Sequence, residues 1–176
     1  MQFGIAIFPE KEVQDAANSW RVRHDPHYCH IPPHMTLREA EDWSDEQLQQ
    51  AIQQIEAVAG QTAPFQVTFN RVSTFFPVSP VLYYALEDPA PVIRLHEAIC
   101  SGPLAIAQSQ YVYTPHVTIG QKMTEGELHD LHGKLKISQI HFTSHIDRVH
   151  LLYQTDQGAW TAYQSFQLQG SPTTNP

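Results

Sequence analysis

Two stretches of the chain, Pro33-His34-Met35-Thr36-Leu37 and Pro115-His116-Val117-Thr118-Ile119, share one pattern of proline, histidine, apolar residue, threonine and aliphatic residue. A bare His-x-Thr triplet carries little information, because a chain with 11 histidines contains about one by chance. A third triplet, His141-Phe142-Thr143, lacks the preceding proline and fits that expectation. The full pattern is rarer by about two orders of magnitude, so its double occurrence indicates a paired site.

The two stretches occupy equivalent places in a repeated order of elements: strand, helix, histidine strand, capped helix, strand. In the first half the pattern predicts elements at 2–8, 10–23, 34–39, 44–59 and 65–76. In the second half it predicts them at 81–86, 89–100, 116–120 and 124–135, followed by strands at 137–154 and 160–168. Capping boxes at Ser44 and Thr124 begin the fourth element of each half, and Gly60 is expected to end the first of these helices.

This order predicts one α+β domain over residues 1–168, with halves at about 1–78 and 79–168 and a disordered tail at 169–176. Two equivalent units can pack about a pseudo-two-fold axis, so that the two histidine strands face each other across a central groove.

The spacing within the motif has a chemical meaning. Side chains two residues apart on a strand share a face, so His34 and Thr36 project together, as do His116 and Thr118. One neutral imidazole can take a proton while a protonated one gives a proton to a leaving oxygen. Threonine hydroxyls can donate to the non-bridging oxygens of a phosphate. The two histidines are therefore the candidate catalytic pair.

Other residues are candidates for binding substrate. Arg38 lies four residues after His34 and could hold a phosphate oxygen. Lys122 lies six residues after His116 and would share its face if the strand continued. Tyr113 could stack on a base or could belong to the core with its hydroxyl satisfied. Weaker candidates are Arg71, Tyr111, His145 and Arg148.

The loop from His24 to His30 contains ligand types that suit zinc or nickel, but its spacing matches no standard metal site. We interpret it as a solvated loop that flanks the substrate. Cys29 and Cys100 are too few for a disulfide framework, so we expect free thiols in the cytoplasm. We expect no signal peptide and no membrane span.

The formal net charge is −8, and the ten Lys and Arg residues are scattered along the chain. This composition disfavours binding of long nucleic acids, which requires clustered cations. A small phosphate held by a few local groups remains compatible with it.

The strings Pro-His-Met-Thr-Leu-Arg-Glu (33–39) and Thr-Pro-His-Val-Thr-Ile-Gly-Gln (114–121) resemble the 2H phosphoesterase superfamily, which includes the 2'-5' RNA ligase-like enzymes, and within it the small bacterial YjcG-like branch. The resemblance covers about residues 1 to 168. It implies a bilobal fold in which two antiparallel sheets flank a central cleft, with helices outside. It also implies that His34, Thr36, His116 and Thr118 cleave or ligate 2',3'-cyclic or 2'-5' phosphodiesters without a metal or cofactor. Arg38 and Glu39 stand where several better-known branches carry aromatic residues.

Three functional hypotheses follow. The preferred one is hydrolysis of a small cyclic phosphodiester, such as a nucleoside or oligonucleotide 2',3'-cyclic phosphate. The second is joining or trimming of RNA ends at the same site. The third is a protein that binds a nucleotide phosphate without turnover. The sequence does not identify any partner protein.

Overall fold

A computed structural model describes residues 1–107 and 111–172 of the chain. Within that part the chain forms two four-stranded antiparallel sheets and four α-helices, which confirms the α+β class. The elements are β1 (Gln2–Ile7), α1 (Lys11–His24), β2 (Met35–Asp42), α2 (Asp45–Gln61), β3 (Phe65–Thr74), β4 (Leu82–Leu86), α3 (Ala90–Ile99), β5 (His116–Gly120), α4 (Glu125–Leu135), β6 (Phe142–Ile146), β7 (Arg148–Gln154) and β8 (Trp160–Gln167). A short 3-10 turn, Gly102–Leu104, follows α3.

The two sheets exchange strands between the two halves of the sequence. The first sheet has the order β2-β1-β7-β8 and the second has the order β5-β4-β3-β6. Each sheet therefore begins with a motif strand at its edge, continues with the first strand of the same half, and takes its third strand from the other half. The sequence assigned one lobe to each half, whereas each sheet contains strands from both.

The exchange depends on a break that the sequence did not reveal. The predicted strand at 137–154 is wrong as a single element, because it divides at Asp147. β6 pairs with β3 in the second sheet, and β7 pairs with β1 in the first. The chain thus passes from one sheet to the other within a single residue, Asp147.

Each sheet is covered by two helices, one from each half of the sequence. α1 and α4 contact strands of the second sheet, and α2 and α3 contact strands of the first. The inward faces of the helices are apolar at helical spacing, as Val13 and Ala17 in α1 and Leu48 and Ile55 in α2 show. Both predicted capping boxes are present, with Ser44 Oγ and Thr124 Oγ1 accepting from backbone N–H groups.

The end of α2 and the start of the tail differ from the prediction. α2 continues through Gly60 to Gln61, so the expected stop at Gly60 is wrong. After β8, the Gln169 N–H donates to the Ala59 carbonyl at 2.9 Å and the Gly170 N–H to the Thr62 carbonyl at 3.0 Å. The predicted disordered tail therefore begins with two residues that dock on α2, while 173–176 lie outside the described residues. In the part of the chain described, no helix is long and apolar enough to cross a membrane.

The two glycines at this contact predict opposite effects of alanine. A Cβ at Gly170 would clash with the Gln61 carbonyl group, whereas a Cβ at Gly60 meets no described atom within 4 Å. We expect Gly170→Ala to lower the free energy of unfolding by about 1–3 kcal/mol through overpacking. Gly60→Ala, the matched control, should raise it by about 0.5 kcal/mol because alanine favours the helix. Urea unfolding measures both, and equal effects would contradict the tail contact.

Candidate active site

The two motif histidines are held in the same way. His34 Nδ1 lies 2.9 Å from the Pro32 carbonyl oxygen, and His116 Nδ1 lies 2.8 Å from the Thr114 carbonyl oxygen. Because a carbonyl oxygen only accepts, each Nδ1 carries the hydrogen and donates it. Each Nε2 is then left as the nitrogen that can exchange a proton with a substrate. The proline before each histidine separates the ring from the carbonyl it contacts, so the matched prolines give matched orientations.

The two motif imidazoles lie near enough for the charge of one to act on the other. β2 and β5, the edge strands that carry the motifs, contact each other across the two sheets. Burial, together with the positive charges of Arg21 and His116, lowers the pKa of His34 from 6.5 to about 4. Burial also lowers the pKa of His116. Burial is the cause that the two histidines share, and the positive charge of Arg21 acts on His34 in addition.

Aromatic rings surround the second motif. The ring of His116 lies 4.9 Å from that of Phe75 and 5.1 Å from that of Tyr83. Tyr83 pairs across the ladder with Thr118, and directly opposed residues share a face of a sheet. Thr118 therefore projects to the same side as His116, as the motif spacing predicted. The apolar rings exclude water from the imidazole, which accounts for its lowered pKa.

The first motif lies on an edge strand whose free carbonyls are satisfied by side chains of the other half. Tyr113 Oη donates to the Thr36 carbonyl oxygen at 2.7 Å, and His96 Nδ1 donates to the Leu37 carbonyl oxygen at 2.7 Å. The rings of His96 and Tyr113 stack with centroids 3.7 Å apart. Of the two interpretations of Tyr113, the geometry favours a packed ring with a satisfied hydroxyl. Tyr113 positions Thr36 in the structure and does not offer its ring face to a base.

Arg38 is not placed as the sequence predicted. β1 and β2 slip in register between Thr36 and Arg38, because Ala6 opposes Thr36 while Ile5 opposes Arg38. This β-bulge ends the simple alternation of faces. Arg38 is buried, and its guanidinium donates from Nη1 to the Leu104 carbonyl oxygen at 2.6 Å and from Nη2 to Glu41 Oε2 at 2.8 Å. Both terminal nitrogens are thus engaged within the protein, although Arg38, like Glu39, lines the groove beside the first motif.

Lys122 also lies elsewhere. β5 ends at Gly120, so the strand does not continue as the prediction for Lys122 required. Lys122 adopts a left-handed backbone with φ 54° and is exposed at a second cavity beside Arg23 and Glu127. The lysine therefore does not share the face of His116.

Sequence reasoning missed Arg21, which organises the loop from His24 to His30. Arg21 is 2% exposed, pairs with Asp25 at 2.8 Å and donates to the Ile31 carbonyl oxygen at 2.8 Å. Asp25 in turn accepts from Gln121 Nε2 at 2.8 Å, just beyond the second motif. Arg21 follows Val13 and Ala17 on the buried face of α1, and its i,i+4 spacing to Asp25 is the pattern that could have revealed it.

His150 is a second residue near the motif that the sequence analysis did not single out. It lies on β7 opposite Ala6, which opposes Thr36 on its other side. The ring of Phe8 lies beside both imidazoles, with its centroid 6.2 Å from that of His34 and 5.0 Å from that of His150. His150 Nδ1 is 2.8 Å from Ser165 Oγ. A third imidazole thus lies on the face of the first sheet that carries the motif.

The four weaker candidates from the sequence are either engaged by other groups of the protein or exposed. Arg148 is paired with Asp147, Arg71 donates to the Leu86 carbonyl oxygen, and His145 and Tyr111 are exposed. Within residues 1–107 and 111–172, no group of three or more His, Cys, Asp or Glu residues is arranged to hold a metal ion. Cys29 and Cys100 are free thiols.

A groove of about 260 Å³ opens beside the first motif on the first sheet. Its lining includes His34 and Thr36 at one end, Glu39 and Ala40 further along β2, and Trp160 from β8. A substrate whose phosphate lies between the motifs could extend into this groove.

Comparison with known proteins places the chain in a family. The model of the 2'-5' RNA ligase superfamily matches residues 9–158. A protein of Geobacillus sp. (strain WCH70) that bears the name "Putative phosphoesterase" is 41% identical over 170 residues, which cover 97% of this chain and 98% of that protein. A protein of Bacillus cereus (strain G9842) with the same description is 40% identical over 168 residues, covering 96% of this chain and 97% of its own length.

Solved structures share the fold. TT0787 of Thermus thermophilus superposes with a TM-score of 0.71 at 20% identity and covers 97% of this chain and 100% of its own. LigT of E. coli, in complex with 3'-AMP, superposes with a TM-score of 0.69 at 19% identity and covers 95% of this chain and 97% of its own. At these identities the likeness establishes the two-sheet fold.

We expect the pKa of His34 to lie well below 6.5, at about 4, in the free protein. Burial disfavours the charged ring, and the charge of His116 adds to this effect. Inorganic phosphate should raise the pKa, since an anion stabilises the imidazolium, and His116→Gln should also raise it. Nitrogen-15 NMR of the imidazole across a pH series measures the pKa and the tautomer together. A ring that titrates at its ordinary pKa or above without phosphate would contradict the buried placement.

We expect Tyr113→Phe to lower kcat for phosphodiester cleavage, because the lost hydroxyl leaves the Thr36 carbonyl without its donor while the ring still stacks on His96. The stability loss should stay at about 0.5–1.5 kcal/mol. Tyr163→Phe is the matched control, since within the described chain Tyr163 makes ring contacts but no hydrogen bond through its hydroxyl. If both variants retained full kcat, Tyr113 would have no part in positioning Thr36.

Proposed function

The chain belongs to the 2'-5' RNA ligase superfamily, and we propose that it is a metal-independent phosphoesterase that hydrolyses a small cyclic or 2'-5' phosphodiester. The preferred substrate class is a nucleoside 2',3'-cyclic phosphate. The observation that carries the proposal is the matched pair of histidines, each with Nδ1 fixed by a backbone carbonyl and Nε2 left for chemistry.

The pair divides the proton transfers. His34 Nε2, neutral because burial and nearby positive charge depress its pKa, takes a proton from the attacking water. The water oxygen bonds to phosphorus, and the bond from phosphorus to one ribose oxygen breaks. Protonated His116 gives a proton from Nε2 to that leaving oxygen. The reaction yields a monophosphate and a free ribose hydroxyl, and the proton gained by His34 is available to restore His116.

The threonines serve the phosphate. The hydroxyls of Thr36 and Thr118 project to the same faces as their histidines and donate to the non-bridging oxygens, where negative charge increases in the transition state. The phosphate itself is an anion, so its arrival raises the pKa of the imidazole that must carry the proton. The substrate thus supports the protonation state that its own cleavage requires.

The charge of the molecule favours a small substrate. A chain of net charge −8 repels long polyanions, while one phosphate can be held by a few local donors. The solved relative LigT of E. coli binds 3'-AMP in one structure and phosphate in another. Ligands of this size match the groove beside His34.

We expect His34→Ala and His116→Ala each to lower kcat/KM for nucleoside 2',3'-cyclic phosphates by about 10²–10⁴-fold, the usual contribution of general acid–base catalysis. Phosphorus NMR follows the ring-opened product. His141→Ala is the matched control, because His141 begins the third His-x-Thr triplet but is exposed and outside the site, and it should retain full activity.

The same assay separates the alternatives. EDTA should leave the rate of hydrolysis unchanged. Loss of turnover when EDTA is added would overturn the metal-free mechanism. Joined or trimmed oligoribonucleotides, with no action on cyclic mononucleotides, would favour an RNA-end enzyme. Tight binding of a nucleotide without product would favour a sensor.

A further inference from the structure

The groove beside the first motif has an aromatic floor. Trp160, at the start of β8, lines the groove, and its ring reaches across the sheet to β1. A Cβ built at Gly4 would lie 3.7 Å from Trp160 Cζ3, which places the edge of the indole over the backbone of Gly4. Leu152 of β7, which pairs with Gly4, completes an apolar surface under the ring. The edge of the indole therefore lies against the face of the sheet at Gly4.

The backbone of Trp160 is held by the loop that precedes the first motif. Its backbone N–H donates to the His30 carbonyl oxygen at 2.8 Å. His30 belongs to the loop that leads into the first motif. Its ring packs beside Gly158 in the turn before β8, where a Cβ added to the glycine would lie 3.7 Å from His30 Cε1. The platform and the catalytic histidine are thus connected through one loop.

Glu39 provides an acceptor beside this platform. It lines the groove and forms no hydrogen bond or ion pair with the rest of the described chain. Its neighbour Arg38 is already engaged by Glu41. Glu39 is exposed to the groove, and partial burial raises the pKa of its carboxyl. A ligand with N–H groups would supply what this side chain lacks.

The separation between the platform and the motif suits a nucleoside. Ala6 lies beside Thr36, and Gly4, under the indole, is two residues further along β1. Two residues of an antiparallel strand span about 7 Å. A phosphate on Thr36 and a base over Gly4 would therefore be separated by about one ribose.

We propose that this groove is a nucleobase subsite, in which the base stacks on Trp160 and presents N–H donors to Glu39. The inference rests on the proposed function of the His34 and His116 pair. Guanine is the base that fits best, because its adjacent N1–H and N2–H groups can donate in parallel to one carboxylate. Uracil fits worst, because two carbonyl oxygens flank its single N–H and face the carboxylate.

The experiment compares cyclic phosphates that differ only in the base. The wild-type kcat/KM should fall from guanosine to inosine 2',3'-cyclic phosphate, since inosine lacks only the N2 amino group, and should be lowest for uridine. Trp160→Ala should lower kcat/KM for the guanosine substrate by about tenfold or more, the usual contribution of base stacking. It should leave ribose 2',3'-cyclic phosphate, which has no base, unchanged, and Trp160→Phe should restore most of the loss.

Glu39→Gln should abolish the preference for guanosine over inosine without changing turnover of the base-free substrate. Equal losses on base-bearing and base-free substrates, or no loss with Trp160→Ala, would overturn the subsite.

A binding arm separates this inference from the proposed function. Calorimetry with guanosine 3'-monophosphate and ribose 3-phosphate measures the contribution of the base without turnover. If Trp160→Ala binds guanosine 3'-monophosphate more weakly than the wild type does, and binds ribose 3-phosphate equally well, the subsite is supported even if no cyclic phosphate is hydrolysed. Equal binding of both ligands to the wild type would overturn it even if hydrolysis is observed.

Discussion

Both motif strands lie at the edge of a sheet, and the site depends on how those edges are completed. An edge strand exposes one row of unpaired backbone groups, and a buried carbonyl without a donor is costly. β2 meets this constraint through Tyr113 and His96, whose side chains donate to the carbonyls of Thr36 and Leu37.

The residues that complete each edge come from the other half of the chain. Tyr113 and His96 precede the second motif but support the first, while Asp25 precedes the first motif and accepts from Gln121, which follows the second. The exchange of β3 and β7 between the sheets follows the same logic. Neither half can therefore build its own half-site, because each motif strand is held by its partner unit. The positions of the two motif strands are thus linked by these contacts, and the charge of His116 lowers the pKa of His34.

Local pattern predicted the elements well, because capping boxes and apolar periodicity act over a few residues. The strands carrying His34 and His116 and the helices begun by Ser44 and Thr124 are all present. What the sequence could not predict is non-local. The division at Asp147 has no proline or glycine to mark it, and only pairing partners separate β6 from β7. The prediction for Arg38 is wrong for a related reason. Pairing with β1 introduces a bulge in β2, and the bulge breaks the alternation of side chains from which the face of Arg38 was predicted.

The fate of the cations explains why the chain uses histidine at this site. Arg21 and Arg38 are buried among carbonyls and carboxylates, and Lys122 is exposed at another cavity. A permanent cation beside the phosphate would hold substrate and product alike, which favours binding over turnover. Desolvation depresses the pKa of both imidazoles, which favours their neutral form, and an anion beside them raises the pKa again. In the proposed mechanism, the positive charge therefore appears with the phosphate, where the leaving oxygen needs a proton, and it diminishes when the phosphate departs.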